Sequence, residues 1–298
     1  MSQTTPKPIT PGGFDASWLQ QREPFDLAAR SQALATAFAA ALPRGSGRPV
    51  RLVDLAAGTG ANFRALAPLI GGDQDWLLID HDPLLLAAQH AHIAAWARQR
   101  GWHSEPQGQA LRVQTGSACW RVQGQALDLA ASWTALDLAR FDGVTTTAFL
   151  DLVSAAWLET FSQQVAQARR PLLATLTVDG QRLWLPAHPA DAALQAAFLQ
   201  HQGVDKGFGP ALGAAALAHL AELLSAQGLV VHTARSDWRI SATDPNMLTR
   251  MVSEAAAVAR DVAPGSATHI ADWLATRRVQ IHSTGLQLTV GHGDLLAL

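Results

Sequence analysis

The stretch V-D-L-A-A-G-T-G-A-N-F, residues 53–63, constrains this chain more than any other. A hydrophobic strand runs into a glycine turn, and a helix pattern follows. Gly58 and Gly60 let the backbone turn tightly and approach a ligand where a Cβ would clash. The helix start at Asn62 leaves backbone N–H groups free to meet a polar group. A second hydrophobic strand, 76–79, ends in Asp80, twenty residues after Gly60. At that separation an acidic side chain accepts both hydroxyls of a ribose in a mononucleotide-binding unit. Strand, turn, helix and strand in this order belong on a parallel sheet and read as a cradle for an adenosine-containing ligand.

The rest of the chain continues the alternation. One helix is expected over 18–42, with Pro24 as a candidate helix start, and a loop over 43–49. Strands are expected at 51–55 and 76–79, with helices at 62–69 and 83–100. After a loop at 101–108, the runs 111–115 and 120–123 suggest a hairpin, and a third parallel strand ends at Leu127-Asp128-Leu129. A fourth strand covers 142–146 and a helix 152–168. The fifth, 171–178, turns at Asp179-Gly180 into a hairpin partner, 181–185. Helices at 188–200, 214–227, 253–262 and 269–276 surround strands at 229–233 and 286–290. This order predicts one doubly wound α/β sheet. Residues 1–17 read as a flexible tail, 18–298 as a single domain with an N-terminal helical cover, and the glycine-rich 201–213 as a candidate lid.

Composition narrows the partners. The net charge of −2 and the lack of a basic stretch argue against an extended nucleic-acid surface. No run reaches about 18 apolar residues, so no membrane span is expected. The polar start M-S-Q-T-T-P-K-P does not read as a signal peptide, which points to the cytoplasm. The lone Cys119 excludes an intrachain disulfide or a multi-cysteine metal site, and the 11 histidines lack metal-ligand spacing. Tyrosine is absent, which removes mechanisms that need a phenol, and Lys206 is the only lysine outside the tail. The oligomeric state stays open between monomer and homodimer.

The dinucleotide fingerprint G-x-G-x-x-G is broken by Phe63, where close helix–strand packing asks for a small residue, and no G-K-[S/T] is present. What remains is a ligand with adenosine but no pyrophosphate. S-adenosylmethionine fits, and Asp54 at the end of the first strand faces its ammonium directly or through water. A dehydrogenase on the same scaffold is disfavoured by Phe63.

V-D-L-A-A-G-T-G resembles the first motif of class I S-adenosylmethionine-dependent methyltransferases, and L-L-I-D-H-D-P resembles their acidic second-strand motif. The resemblance is strongest over 53–83 and becomes topological beyond 152. It implies a Rossmann-like sheet of seven mostly parallel strands with an antiparallel last strand. It also implies a turn of Ala56, Gly58, Thr59 and Gly60 against the ligand, Asp80 on the ribose and His81 near the adenine. Asp128 and Leu129 in A-L-D-L-A match the position that meets the adenine amine. Thr145, Thr146 and Thr147 border the methionine part. Ala56 stands where family members often carry glycine.

Methyl transfer from a sulfonium is an in-line displacement, for which positioning and desolvation suffice unless the nucleophile must lose a proton. Asp151 follows the fourth strand and either orients substrate or caps the helix after it. Arg22, Glu23, Asp26 and Arg30 line the first helix, with Arg30 near the ligand carboxylate or the set forming a solvated face. Lys206 sits in the mobile-looking loop beside Asp205 and Phe208, and Asp237 in S-D-W sits beside a large aromatic. Asp151, Asp237 and Lys206 are therefore the catalytic candidates. The fourth strand is followed by T-T-A-F, with no N-P-P-Y or D-P-P-Y, so a small organic acceptor is expected over a nucleic acid. A protein acceptor, and a cofactor-binding scaffold or regulatory protein without catalysis, are the alternatives.

Overall fold

The hydrophobic runs of the sequence become the strands of one sheet. The computed structural model describes residues 15–43, 45, 47–131, 135–283 and 285–298. In chain order the elements are α1 (Ala16–Ala29), α2 (Gln32–Ala41), β1 (Val50–Leu55), α3 (Ala61–Ile70), β2 (Gln74–Asp80) and α4 (Pro83–Gln99). Then follow β3 (His103–Gln107), β4 (Ala110–Gln114), β5 (Cys119–Ala126), β6 (Gly143–Thr147), α5 (Ala155–Ala168) and β7 (Leu172–Leu185). The chain ends with α6 (Asp191–Gln202), α7 (Ala216–Ala226), β8 (Val231–Arg235), β9 (Trp238–Ile240), α8 (Pro245–Val262), α9 (Ala267–Ser283) and β10 (Gln287–Ala297).

The strand order is β3-β4-β5-β2-β1-β6-β7-β10-β8, with β9 beside β10. Strands β5, β2, β1, β6 and β7 are parallel, and β10 runs antiparallel to both β7 and β8. Without the β3–β4 extension and the short β9, this is the doubly wound sheet with an antiparallel last strand. The chain leaves β1 towards β2 and β5, then returns to β6 on the other side of β1. The crevice between the carboxyl ends of β1 and β6 is thus the topological switch point, where open α/β sheets bind ligands. Phe63 is fully buried. Its ring lies edge-on to Trp76 at 5.4 Å and Trp120 at 6.0 Å, so the large residue fills the aromatic layer behind the sheet.

Several boundaries differ from expectation, each for a local reason. The expected first helix is two, broken at Arg30-Ser31, where Ser31 caps α2 through Leu34 N–H. Pro24 lies inside α1 and does not start it. Of the expected tail, 1–14 lie outside the described residues, while Asp15 already caps α1 by accepting from Trp18 N–H at 2.8 Å. The loop at 101–108 contains β3, paired with β4. The third parallel strand does not end at 127–129: β5, the second arm of the hairpin, pairs with β4 on one side and runs parallel to β2 on the other.

The Asp179-Gly180 signal marks no hairpin turn. β7 continues to Leu185 with β10 beside it along both halves, and the register moves from Val290↔Arg182 to His292↔Val178. The extra β7 residues form a bulge that uses the positive φ of Gly180, 82°. The last strand is correspondingly longer than 286–290. Ser154, not Asp151, caps α5, and Asp151 sits in a short 3-10 turn, Leu150–Leu152.

The long β7 and β10 carry the sheet past the switch point, and β9 joins them there. Helices α6, α8 and α9 cover this extension around Trp184, Leu248, Met251 and Trp273. Trp18 of α1 belongs to the same apolar cluster. Helix α1 therefore bridges the extension and the glycine turn. Among the described residues no helix is long and apolar enough to cross a membrane.

Candidate functional site

The glycine turn is built on left-handed backbone. Ala56, Gly58 and Gly60 have φ of 54°, 52° and 81°, so Ala56 adopts a left-handed conformation that favours glycine. Ala57 N–H donates to Ile79 O at 2.8 Å and ties the turn to β2. Asp80, at the end of β2, accepts Gly58 N–H at 2.8 Å on Oδ2 and Asp82 N–H at 2.9 Å on Oδ1. Each oxygen keeps a second lone pair. His81 is largely exposed, with Nδ1 3.5 Å from Asp80 Oδ1. A Cβ at Gly58 would lie 2.8 Å from Leu19 Cδ1, so α1 roofs the turn. Buried Arg64 of α3 clasps this roof: it donates to Thr59 O at 2.7 Å and pairs with Glu23 of α1 at 2.6 Å.

Under that roof lies a buried polar network. Asp54 is fully buried. Its Oδ1 accepts from Asn62 Nδ2 at 2.7 Å and Thr145 Oγ1 at 2.8 Å, while Oδ2 has no partner. Burial pushes this carboxyl up to about 6, against the pull of those hydrogen bonds and of Arg30. Arg30, also buried, donates from Nη1 to Asn62 Oδ1 at 2.6 Å and Thr175 Oγ1 at 3.1 Å, and its Nε has no partner. Burial pulls this guanidinium below its ordinary value. The Asn62 amide thus joins an unsatisfied acceptor to an unsatisfied donor. Buried polar groups left unmatched cost about 1–3 kcal/mol each. A pair of opposite sign is complementary to an α-amino-acid zwitterion, ammonium on Asp54 and carboxylate on Arg30.

The other expected residues are spread around this centre. Thr147 accepts from the Thr175 hydroxyl at 3.0 Å, whereas the Thr146 hydroxyl is spent on Leu55 O at 3.0 Å. Asp128 is exposed just beyond β5 and accepts Ala130 N–H at 2.8 Å. Leu129 is buried, its carbonyl taking Trp157 Nε1 at 2.7 Å.

Asp151 is buried, and its Oδ1 has no partner. Burial pushes its carboxyl up to about 6, opposed in part by the charges of Arg22 and Lys206. Lys206 reaches this side because its loop docks on the segment after β6: Phe208 packs on Phe149 at 5.4 Å, and Leu212 N–H donates to Val153 O at 2.9 Å. The Lys206 ammonium itself donates to His201 O and Val204 O at 2.9 and 3.1 Å. Asp237 is held elsewhere, by Arg235 at 2.9 Å and by His292 N–H at 3.2 Å. It lines a cavity of about 420 Å³ with Phe25, Ala28, Ala29, Arg235 and Arg239.

The Arg22–Asp26 pair is not a solvated face. Both are buried, 2.9 Å apart, with the guanidinium 4.9 Å from the Trp238 ring centroid and Trp238 Nε1 donating to Asp26 at 3.0 Å. Sequence reasoning missed Asn62 as a polar bridge, along with Thr175, His292 and Asp294. G-H-G-D inside an apolar run was a usable signal for the last two, and nothing in the sequence singled out Thr175. His292 is buried against Trp238 at 5.0 Å, and burial pushes its imidazole down to about 3.

No family model matches the chain, and no curated protein matches it. Among solved structures the chain is similar to a sarcosine dimethylglycine methyltransferase, so described, from Galdieria sulphuraria, at 15% identity and a TM-score of 0.43 over 97% of this chain and 91% of that one. It is similar to a SAM-dependent methyltransferase from Thiobacillus denitrificans solved with S-adenosyl-L-homocysteine, at 14% identity and 0.42 over 96% and 98%. Against phosphoethanolamine N-methyltransferase 2 of Haemonchus contortus the figures are 11% and 0.42, over 94% of this chain and 52% of that one.

Proposed function

We propose that this protein transfers a methyl group from S-adenosylmethionine to a small organic molecule. The observation that carries the reading is the unsatisfied pair, Asp54 Oδ2 and Arg30 Nε, joined through Asn62 beneath the glycine turn. It suits the amino-acid end of that molecule, and Asp80 keeps the lone pairs that its ribose hydroxyls need. Thr145 orients Asp54, Gly58 lets Leu19 of α1 close over the turn, and His81, Asp128 and Leu129 border the adenine. S-adenosylmethionine supplies a methyl already activated by its sulfonium.

The chain's own residues then position and desolvate. Helix α1 and the 203–212 loop exclude water, which strengthens every charge inside. Where the acceptor must lose a proton, Asp151 Oδ1 takes it, since it is buried, unpartnered and adjusted close to neutrality. Arg22 and Lys206 favour the ionised form of Asp151. Asp237, held by Arg235, is given no part in proton transfer.

Calorimetry with S-adenosylhomocysteine tests the first step. Binding in the micromolar range is expected, with Asp80→Ala at least tenfold weaker and still folded. No heat at millimolar ligand would sink the reading. A panel of small amines, alcohols and acids, followed by S-adenosylhomocysteine release, then identifies the acceptor.

A further inference from the structure

Asp294 is fully buried in β10, inside the G-H-G-D segment. Its two oxygens serve two distant backbones. Oδ2 accepts Ser31 N–H at 2.7 Å, and Oδ1 accepts Leu176 N–H at 2.8 Å. Both donors are unusual. Ser31 follows the break between α1 and α2, where Arg30 leaves the helix with φ −51° and ψ 136°. Leu176 interrupts β7 with a φ of 57°, left-handed for a buried leucine. The register there passes from Gly293↔Thr177 to Leu295↔Ala174, so Asp294 alone faces Thr175 and Leu176. This is a bulge, and its N–H points to a side chain instead of a strand.

The residues flanking those donors are the ones that meet. Arg30 precedes Ser31, Thr175 precedes Leu176, and Arg30 Nη1 donates to Thr175 Oγ1 at 3.1 Å. One carboxylate therefore fixes the backbone on both sides of the Arg30–Thr175 contact. We infer that Asp294 is a positioning residue that aims the free Nε edge of Arg30 at the carboxylate of the bound ligand. The inference rests on the proposed role of Arg30 in holding the amino-acid end of S-adenosylmethionine.

The test compares two ligands that share the nucleoside and differ at the amino-acid end. S-adenosylhomocysteine carries the α-carboxylate; 5′-methylthioadenosine lacks the amino-acid group. Asp294→Asn keeps the volume and one acceptor but sets an NH2 against Ser31 N–H or Leu176 N–H. By calorimetry this variant is expected to bind S-adenosylhomocysteine at least tenfold more weakly, with 5′-methylthioadenosine changed less than twofold. Ser31→Pro is the second variant. Its native φ of −66° suits proline, and it removes the donor to Asp294 together with the side-chain cap of α2 while leaving Asp294 in place; Ser31→Ala, which removes the cap alone, is the control and should keep the selectivity. The same selective loss is expected of Ser31→Pro, which carries the comparison if Asp294→Asn does not fold. Equal weakening of both ligands, or no weakening, would overturn the inference and show Asp294 to be only a brace for the fold. Failure of the unaltered protein to bind either ligand would instead strike the methyltransferase reading, and the inference with it.

Discussion

Binding of S-adenosylhomocysteine should weaken as the pH falls from 7 to 5, and Asp54 should be the cause. Its carboxyl is pushed up to about 6 from 3.8, chiefly by burial. Only the ionised form pairs with the ligand's ammonium, which keeps its proton throughout that range. The apparent Kd then scales as one plus ten to the power of the difference between this pKa and the pH. That factor is about 1.1 at pH 7 and about 11 at pH 5, a loss of roughly tenfold, or about 1.4 kcal/mol. Arg30, Asn62 and Thr145 surround the group, and Asp80 adds an opposing charge. Calorimetry at half-unit steps reads the effect directly.

Asp54→Asn should bind roughly ten- to a hundredfold more weakly at pH 7, the range of one charged hydrogen bond, and should lose the pH slope. Asp151 has a similar pKa, so Asp151→Asn is the control and should keep the slope. A flat profile in the unaltered protein, or a slope surviving in Asp54→Asn, would refute the reasoning. Linkage gives the matching sign for stability. A carboxyl whose folded pKa is raised stabilises most fully below its unfolded value and loses that contribution as pH rises through the folded one. Between pH 4 and 7 the ligand-free protein should therefore lose roughly 2 kcal/mol through Asp54, because burial raises its carboxyl from 3.8 to about 6.

Two further substitutions probe the rest of the site. Asp151→Asn should lower turnover at least a hundredfold for an acceptor that must shed a proton, with S-adenosylhomocysteine affinity changed less than about twofold; steady-state kinetics beside calorimetry separates the two. Trp238→Phe removes the donor to Asp26 and should lower stability by about 1–3 kcal/mol in denaturant titration, because the buried Arg22–Asp26 pair loses its third member. An unchanged midpoint would show that α1 is held without it.

The doubly wound core was legible because its signals are local. β1 and β2 are short, mostly buried strands with Asp54 and Asp80 near their carboxyl ends, Asp54 opposite Leu78 and Asp80 two residues beyond, and the glycine turn between them needs left-handed backbone that the sequence advertises. Misreadings arose where a local signal met a long-range demand. Asp179-Gly180 reads as a hairpin turn, but β10 lies beside both halves of β7, and the ladder hydrogen bonds along that length hold the chain in one strand with a bulge. Pro24 reads as a helix start, yet Asp15 supplies a side-chain cap nine residues earlier.

The site divides along the same line. Gly58, Gly60, Asp54 and Asp80 could be named because strand ends and turns place them whatever the rest of the chain does. Thr175 and Asp294 could not, because each matters only through partners far away in sequence, and Asn62 matters because it bridges Asp54, eight residues back, to Arg30, thirty-two back. Arg30 meets Thr175 across 145 residues, and Asp294 meets Ser31 across 263. The physical consequence is a division of labour. Local backbone geometry forms the glycine turn and the Asp80 contacts that the proposed function gives to the nucleoside, whereas long-range hydrogen bonds assemble the Arg30–Asn62–Thr175 network that it gives to the amino-acid end. Weakening α1 should therefore cost the amino-acid end first, and selectivity between S-adenosylhomocysteine and 5′-methylthioadenosine measures how well that roof is seated.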